Sequence, residues 1–384
     1  MTRRAAGEAI DVAADRLADA PTDAAVDVVV VSWNNRAYLA DLLPALAAQT
    51  HRRHRVVVAD NGSTDGTLGW LAAEWPAVEA LDLGANLGFA AANNRAIARG
   101  TAPWVALVNS DTVPEPGYLA ALVAAGAARP RVGSVASLML FMDRPQVVNS
   151  AGIAVDPTGI AWDWLGGARV DALPFVADDA PVPVFGASAG GALYRRAALD
   201  DVALPGGGEA RAGPFDEAFF MYLEDVDLAW RLRLRGWESV LAPAARIAHV
   251  GSGTSGEGSP FKNRLLARNK VWTVVKNYPA APLVARLPLV IAYDLASVPY
   301  RVVVHGQTAA LRGRLDALAG LGRAWRARRR IQAARTAPWR FVAAAMQPLA
   351  TPWQVARRYR HLAAAPASGS PTASARASTA PPPP

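Results

Sequence analysis

Apolar runs that end in polar residues alternate with helical segments in the first third of the chain. Residues 26–31 are β-branched or apolar apart from Asp27, and residues 55–60 and 104–108 repeat this pattern. Helical spacing of apolar residues is found at 39–48 and 68–74. Continuous apolar runs are typical of buried parallel strands. The alternation predicts an α/β fold built on a mainly parallel sheet with right-handed crossovers.

Polar clusters follow three of the predicted strands. They occupy residues 32–35, 60–67 and 109–111. Ligands of such sheets bind beyond the carboxyl ends of the strands. One cluster would be ordinary turn chemistry, because Asn, Asp, Gly and Ser favour turns. Three clusters at the same edge predict a binding site.

Three further segments are weaker candidates for the site. Gly88 follows Asn86 and precedes a small-residue helix whose N-terminus could take a phosphate. Gly190 and Gly191 would let a ligand approach the backbone closely, although tight packing asks for the same residues. His249 follows the predicted strand 239–241 and a loop, and a lone histidine is more often structural than functional.

Residues 215–237 combine aromatic side chains with carboxylates, and Glu224 and Asp225 open a segment of helical period that ends at Gly236. Acids in a first turn stabilise a helix, and glycine commonly terminates one. Capping alone does not explain the aromatic residues before the acids. Phe219, Phe220 and Tyr222 beside an ionised aspartate would suit a sugar site with a positioned base.

Charge divides the chain into two parts. Residues 261–384 hold 20 Lys and Arg against Asp294 and Asp316, whereas the first 260 residues hold 20 Lys and Arg against 30 Asp and Glu. A basic region that also contains tryptophan favours an anionic membrane surface over nucleic acid as its partner, because the acidic part would repel phosphates. Absence of cysteine excludes disulfides, thiolate metal sites and cysteine nucleophiles.

The composition predicts four regions. Residues 1–24 form a flexible lead with no apolar core of a secretory signal, 25–258 the α/β domain, 259–362 a basic helical region that associates with membrane, and 363–384 a disordered tail rich in Ala, Ser and Pro. Residues 283–304 are strongly apolar but interrupted by charges and prolines, so we expect no bilayer span. An interfacial hairpin and a helical pair packed on the enzyme both remain open.

Five motifs resemble glycosyltransferase family 2, most closely its rhamnosyltransferase-like branch. They cover roughly residues 26–255 and occur in the order of the family: Val31-Ser32-Trp33-Asn34, Asp60-Asn61-Gly62-Ser63-Thr64-Asp65-Gly66, Asn86-Leu87-Gly88-Phe89, Asn109-Ser110-Asp111 and Glu224-Asp225. The resemblance implies a GT-A, Rossmann-like fold followed by an α-helical C-terminal region. It also implies an inverting transfer from a nucleotide-sugar donor.

The resemblance also implies roles for individual residues. Asp225 would be the catalytic base, and Asp111 and His249 would bind a divalent cation, Mg²⁺ or Mn²⁺. Ser32, Asn34 and Asp60 would hold the nucleotide, with Asp65 nearby. The remaining predicted substrate-binding residues are Asn86, Gly88, Asn109, Ser110, Gly190, Gly191, Glu224 and Trp230.

One position departs from the family pattern. Residue 109 is Asn, so the cation motif offers one carboxylate instead of two. Either His249 and diphosphate oxygens complete the coordination or metal affinity is low. An oxygen-rich site suits Mg²⁺ or Mn²⁺ in either case.

Rival functions account for fewer of these residues. Adjacent acids such as Glu224 and Asp225 rarely flank a bond from opposite sides, as hydrolysis of a glycoside requires. A nucleotidyltransferase would carry a glycine-rich phosphate loop near the first strand, and a processive synthase would carry spanning helices and a QxxRW motif. Residues 32–38 contain no glycine, and Thr336 stands where that motif requires Trp.

The expected function is transfer of a sugar, L-rhamnose from dTDP-rhamnose in the first instance, onto a cell-envelope glycan or polyprenyl-diphosphate acceptor. A UDP-hexose or UDP-galactofuranose donor remains an alternative, as does a non-catalytic protein that binds nucleic acid or membrane through residues 261–360. We expect a cytoplasmic enzyme held on the inner face of the membrane, with no nucleic-acid partner. The oligomeric state is left open by the sequence.

Overall fold

The computed structural model describes residues 23–206, 212–251, 259–299 and 308–349. Its strands are β1 Val26–Ser32, β2 His54–Asp60, β3 Glu79–Asp82, β4 Trp104–Asn109, β5 Thr112–Pro114, β6 Val132–Phe141, β7 Val148–Ser150, β8 Ile153–Val155, β9 Ala161–Asp163, β10 Val182–Pro183, β11 Gly191–Arg195 and β12 Glu238–His249. Nearly all of the predicted flexible lead and the whole predicted disordered tail lie outside the described residues.

The helices lie between and after these strands. They are α1 Arg36–Ala47, α2 Thr67–Glu74, α3 Phe89–Ile97, α4 Tyr118–Ala127, α5 Phe175–Asp178, α6 Arg196–Asp201, α7 Glu224–Leu234, α8 Pro260–Asn277, α9 Ala280–Pro299, α10 Ala309–Ala319, α11 Leu321–Ala334 and α12 Trp339–Ala344, with 3₁₀ turns at Val170–Ala172 and Glu217–Phe219.

A single large sheet organises the first part of the chain, with strand order β10-β12-β6-β11-β4-β1-β2-β3. Strands β3, β2, β1 and β4 run parallel to one another, and β12 runs parallel to β6. Strand β11 is antiparallel to both β4 and β6 and joins the two halves. The predicted α/β architecture with a mainly parallel sheet is confirmed.

Apolar side chains fill both faces of the sheet. Val28 and Val30 of β1 pack with Leu39 of α1 on one face, and Val29 packs with Val57 and Leu107 on the other. Because every residue of a central strand points into one of two cores, β1 is apolar at consecutive positions. The same burial explains why the sequence pattern located β1, β2 and β4 correctly.

Strand β12 is longer than the sequence predicted. It extends over twelve residues from Glu238 to His249, and its pairing with β6 shifts register between Ala242 and Arg246. The predicted strand covered only residues 239–241. Pairing with β5 and β6 extends the strand, and such tertiary pairing overrides local propensity. His249 is therefore a strand residue and does not lie in a loop.

The C-terminal helices pack on the α/β domain through α8. Tyr278, just after α8, lies 5.2 Å in ring-centroid distance from Trp230 of α7, and Trp272 of α8 lies 6.1 Å from Phe219. Arg314 of α10 and Lys270 of α8 both pair with Asp294 of α9. The described part of this region is therefore a set of helices packed on one another and on the enzyme. Within the described residues, each helix is too short or too polar to cross a bilayer.

Candidate functional site

The predicted polar clusters lie along one edge of the sheet. Ser32, at the end of β1, is in register with Asp60 at the end of β2, and Val31 is in register with Asn109 at the end of β4. The three strands are parallel, so their carboxyl ends open on the same side. The structure thus brings together side chains that are far apart in the sequence.

Two buried polar atoms at this edge have no hydrogen-bond partner among the described residues. They are Oγ of Ser32 and Oδ1 of Asp60, and both residues are fully buried. The other carboxylate oxygen of Asp60 accepts from the amide of Ser63 at 3.0 Å. Buried polar groups are nearly always hydrogen-bonded, and an unpaired one is destabilising. These two atoms are therefore candidates to bind a polar ligand.

Asn34 and Asp65 hold the neighbouring loops together. Oδ1 of Asn34 accepts from the amide of Thr64 at 2.8 Å, and Oδ2 of Asp65 accepts from the amide of Arg36 at 3.0 Å. Asn34 has a φ of 54°, a conformation that Asn adopts more readily than most residues. Both side chains shape the wall of the predicted nucleotide site by joining the loop after β1 to the loop after β2.

The Asn86 loop connects the second loop to the aromatic segment. Oδ1 of Asn86 accepts from Nδ2 of Asn61 at 2.9 Å and from the amide of Gly88 at 3.0 Å. The amide of Ala90, in the first turn of α3, donates to the carbonyl of Phe220 at 3.1 Å. That amide is therefore engaged by protein and does not point freely toward a phosphate.

Glycines bring β4 close to the segment before β11. The amide of Asn109 donates to the carbonyl of Gly190 at 2.9 Å, and a Cβ on Gly190 would lie 3.0 Å from Nδ2 of Asn109. A Cβ on Gly191 would lie 2.9 Å from Oγ of Ser137. Ser110 is buried beside this contact and accepts from Asn35 at 2.9 Å. Both glycines thus allow a neighbouring side chain to lie close to the backbone.

Asp111 and His249 form a pair in which Oδ1 and Nε2 are 3.4 Å apart. The pairing of β5 with β12, in which Thr112 faces His249, places them together. Nδ1 of His249 lies 3.0 Å from Oδ1 of Asn149, an oxygen that can only accept. With Nδ1 as the donor in that contact, a neutral His249 presents the lone pair of Nε2 to the carboxylate.

This arrangement fits a divalent cation only in part. A lone pair and a carboxylate that face each other suit a shared cation, and a ligating histidine commonly donates its other N–H to an oxygen acceptor. Within the described residues, however, no group of three or more His, Cys, Asp or Glu side chains is arranged to hold a metal. Any further ligands would have to come from substrate or water.

Asp225 lies in the first turn of α7 and is held by two main-chain amides. Ala189 donates to Oδ2 at 3.2 Å, and Val226 donates to Oδ1 at 2.8 Å. Burial, together with the smaller effect of the charge of Asp163 and against the opposing effect of the amides, raises the pKa of Asp225 to about 6. At neutral pH the carboxylate is still mostly ionised, and it is a stronger base than an exposed aspartate.

Glu224 has a different environment from its neighbour. It is buried, and its Oε2 has no hydrogen-bond partner among the described residues. Burial, followed by the negative charge of Asp225, raises the pKa of Glu224 well above its usual range. The neutral form of Glu224 is therefore favoured relative to an exposed glutamate.

Two predicted contact residues lie in the core. Trp230 is fully buried, with its ring 5.3 Å from Phe185 and 5.2 Å from Tyr278 between centroids. Phe219 is fully buried against Trp272. Both side chains pack α7 and its preceding turn on the C-terminal helices, so neither lines an open site. Phe220 and Tyr222 are half-buried and remain candidates for the predicted aromatic wall.

The sequence analysis did not identify Asn149 or Asp163 as site residues. Asn149 lies in β7 and Asp163 in β9, both in short strands that carry no motif. Only tertiary pairing brings Asn149 to His249 and the charge of Asp163 to Asp225. No signal in the sequence pointed to either residue.

Parts of the chain are similar to known proteins. Residues 27–202 match the model of glycosyl transferase family 2, a range that contains the three strand-end clusters but ends before Asp225 and His249. The N-acetylglucosaminyl-diphospho-decaprenol L-rhamnosyltransferase of Mycobacterium tuberculosis is 34% identical over 252 residues, which are 60% of this chain and 77% of that protein.

More distant relatives share shorter or weaker similarity. The O-antigen biosynthesis protein RfbC of Myxococcus xanthus is 27% identical over 230 residues, 58% of this chain and 17% of that protein. Among solved structures, GalNAc-T7 with UDP, GalNAc and Mn²⁺ has a TM-score of 0.51 at 14% identity, covering 66% of this chain and 48% of GalNAc-T7. That likeness concerns the fold alone and confirms the predicted GT-A architecture. By its similarity to the mycobacterial rhamnosyltransferase over most of that protein's length, the chain belongs to glycosyltransferase family 2 and is a glycosyltransferase.

Proposed function

We propose that this enzyme transfers L-rhamnose from dTDP-rhamnose to a polyprenyl-diphosphate-linked sugar, with inversion at the anomeric carbon. One observation carries the proposal. Asp225 bonds to Ala189, whose neighbour Gly190 bonds to Asn109, two residues before Asp111. A base and a cation-binding carboxylate thus border one small-residue contact. The similar mycobacterial protein is named for rhamnosyl transfer to such an acceptor.

The strand ends would hold the nucleotide. Oγ of Ser32 and Oδ1 of Asp60 are buried polar atoms that a nucleobase or ribose could pair. Asn34, Asp65 and Asn86 would keep the surrounding loops in place through the hydrogen bonds described above. This arrangement would bind the nucleotide at the edge formed by β1 and β2.

The reaction requires one base and a departing diphosphate. The acceptor hydroxyl attacks the anomeric carbon, the bond from that carbon to the diphosphate oxygen breaks, and the bonding electrons leave with the diphosphate. Asp225 takes the hydroxyl proton. Because burial raises its pKa to about 6, Asp225 is ionised at neutral pH and still basic enough to accept that proton.

Asp111 and His249 would hold a divalent cation together with oxygens of the donor diphosphate. A bound Mg²⁺ or Mn²⁺ stabilises negative charge on a leaving diphosphate. Asn149 would orient His249 by accepting from Nδ1, so that Nε2 faces the cation. Two protein ligands predict a weak site that forms fully only with donor bound.

An anionic lipid surface on the cytoplasmic side is the proposed partner of the C-terminal helices. Helix α10 exposes Leu311, Leu315 and Leu318 at 48%, 59% and 60%, and α11 exposes Trp325 at 57%. The leucine spacing places them on one side of α10. Exposed arginines accompany these side chains: Arg312, Arg326, Arg329 and Arg330. Apolar residues flanked by bases suit an interface with anionic headgroups.

A donor screen tests the proposed function. We expect dTDP-rhamnose with Mn²⁺ to raise the melting temperature more than UDP-glucose or UDP-galactofuranose, and Asp111→Ala to remove the Mn²⁺-dependent part of that increase. Transfer to a polyprenyl-diphosphate N-acetylglucosamine acceptor would then be followed by mass spectrometry. A larger shift with a UDP-sugar, together with transfer of that sugar, would overturn the choice of rhamnose.

Cosedimentation with vesicles tests the membrane partner. We expect binding to phosphatidylglycerol vesicles that weakens with salt, and loss of binding when Leu311, Leu315 and Leu318 are all replaced by Ser. Vesicles of phosphatidylcholine and a DNA duplex serve as controls. Equal binding to neutral vesicles, or preferential binding to DNA, would contradict an anionic lipid partner.

A further inference from the structure

The segment that leads to the base has an unusual backbone. Residues 219–225, which we call the base segment, include Phe220, Tyr222 and Leu223 with φ values of 64°, 69° and 63°. None of these residues is glycine. Non-glycine residues in sparsely populated backbone regions are strained and persist only where their surroundings hold them. The contacts of the base segment should therefore show what holds it.

Asn269 of α8 makes these contacts. Its Nδ2 lies 3.1 Å from the carbonyl oxygen of Phe219, 3.0 Å from that of Met221 and 2.8 Å from that of Tyr222. Asn269 is fully buried. The two hydrogens of one side-chain amide thus serve the carbonyls of three residues in a stretch of four, with one hydrogen shared between two carbonyls.

The orientation of this amide is fixed by its neighbour. Nε of Arg268 donates to Oδ1 of Asn269 at 2.9 Å, which turns Nδ2 toward the base segment. The same guanidinium donates to the carbonyls of Ala218 and Phe219 at 3.1 and 2.9 Å. Arg268 and Asn269 therefore act on the base segment from the same turn of α8.

Buried ion pairs anchor α8 beside the base helix. Nζ of Lys276 lies 2.6 Å from Asp216 and 2.8 Å from Asp227, two positions after the base. Asn277 donates to the same Oδ1 of Asp227 at 2.7 Å. Asn269 thus belongs to a helix that is fixed on both sides of the base segment.

The other side of the base segment contacts the predicted donor site. A Cβ on Gly88 would lie 2.5 Å from Cδ2 of Phe220, and the carbonyl of Phe220 accepts from Ala90. The segment is therefore held between α8 and the Asn86 loop. A shift of the segment would move Asp225 relative to the donor.

We propose that Asn269 is a positioning residue for the catalytic base, which it acts on by holding the backbone of residues 219–223. The inference rests on the proposed role of Asp225. Because Asn269 lies in α8, beyond the α/β domain, the C-terminal helical region would then take part in catalysis. Asn269 itself has no direct contact with Asp225 among the described hydrogen bonds.

The test begins with Asn269→Ala in the full chain. We expect kcat to fall by about 100-fold, because small misplacements of a reacting group have effects of that size. The KM for the donor should change by a smaller factor than kcat, because the hydrogen bonds of Asn269 go to the base segment and not to the strand-end residues. The apparent pKa of the acidic limb of the pH profile should fall below the wild-type value of about 6, because a loosened segment lets water reach the carboxylate of Asp225. Arg268→Lys keeps the positive charge but loses the several hydrogen bonds of the guanidinium group. It should lower kcat and the apparent pKa in the same direction, but by less.

Gln332→Ala is the matched control. Gln332 of α11 also donates its amide to two carbonyls of α8, those of Lys276 and Asn277, at 3.3 and 2.9 Å. It should reduce thermal stability without changing the pH profile. Hydrogen exchange over residues 217–227, measured without substrate, should rise in Asn269→Ala and stay unchanged in Gln332→Ala.

A double mutant separates positioning from simple packing. Leu223→Gly lets position 223 take its positive φ without a side chain, so the segment depends less on Asn269. The fold-loss in kcat on replacing Asn269 should therefore be smaller in the Leu223→Gly background. Equal losses in both backgrounds, or a pH profile that tracks only stability, would overturn the inference.

The inference and the proposed base can fail separately. If Asp225→Asn abolishes transfer while Asn269→Ala leaves kcat and the exchange of residues 217–227 normal, only the role of Asn269 is wrong. If Asp225→Asn retains near-normal turnover, the assignment of the base is wrong. Hydrogen exchange then still reports whether Asn269 holds the segment, because it requires no substrate.

Discussion

The main-chain amide of Ala189 donates to Oδ2 of Asp225 at 3.2 Å, which joins the small-residue segment before β11 to the first turn of α7. The next residue, Gly190, accepts from Asn109 at the end of β4. Through these two bonds the proposed base is linked to the cation side of the site. The close approach of Asn109 to Gly190 and of Ser137 to Gly191 explains the glycines at positions 190 and 191.

Replacing the base should stop transfer and leave donor binding intact. We expect Asp225→Asn to lower kcat by about 10²–10⁴-fold, the usual contribution of a general base. Donor affinity, measured by calorimetry, should be unchanged, because Asp225 bonds to Ala189 and Val226 and not to the strand-end residues. The control is Asp41→Asn on the exposed side of α1, which should retain full activity. Comparable turnover in the two variants would refute the assignment.

Activity should rise with pH through the titration of Asp225. Burial raises its pKa to about 6, and a base must be ionised to accept a proton. The value of kcat/KM should therefore be low at pH 5, increase around pH 6 and level off above pH 7. Initial rates in buffers of constant ionic strength measure this profile. A limb centred near pH 4 would mean that the carboxylate is solvated in the working enzyme.

The cation pair should show graded effects on metal dependence. We expect Asp111→Ala and His249→Ala each to raise the Mn²⁺ concentration for half-maximal activity strongly, because each removes one of the two proposed protein ligands. Asn149→Ala should raise it by about 10- to 100-fold, as expected when the partner of a ligating histidine is lost. Titration of metal-free enzyme with Mn²⁺ gives these values. Unchanged titration curves in all three variants would place the cation elsewhere.

Two glycines with positive φ should respond differently to alanine. Gly84 and Gly88 have φ values of 71° and 83°, but a Cβ at Gly84 meets nothing within 4 Å whereas one at Gly88 would overlap Phe220. Gly84→Ala should lower the free energy of unfolding by about 1 kcal/mol through backbone strain alone. Gly88→Ala should lower the free energy of unfolding by about 1–3 kcal/mol more, because the new methyl group overpacks the contact with Phe220. It should also reduce kcat, because it displaces the base segment. Denaturant unfolding and steady-state kinetics measure the two effects, and equal destabilisation would contradict the contact with Phe220.

Local patterns in the sequence predicted the parallel half of the sheet. Strands β1, β2 and β4 are buried on both faces, so their apolar runs are continuous and end where the chain turns toward the crevice. The shared sheet edge of residues 32, 60 and 109 followed from that topology alone. Strands β7 to β10 were not predicted, because they are only two or three residues long and carry no period.

The sequence by itself determined the fold class, the sheet edge of the proposed site and the identity of the acids, because strand burial and chain direction are encoded in local residue patterns. Only the tertiary structure decided how far the pKa of each acid is raised and which side chains lie in the core. Glu224 and Asp225 are adjacent in the chain, yet burial raises the pKa of Glu224 well above its usual range and that of Asp225 only to about 6. Trp230 lies in the core and Asn269 reaches the base segment because α8 packs against α7, a contact between elements that no local pattern specifies.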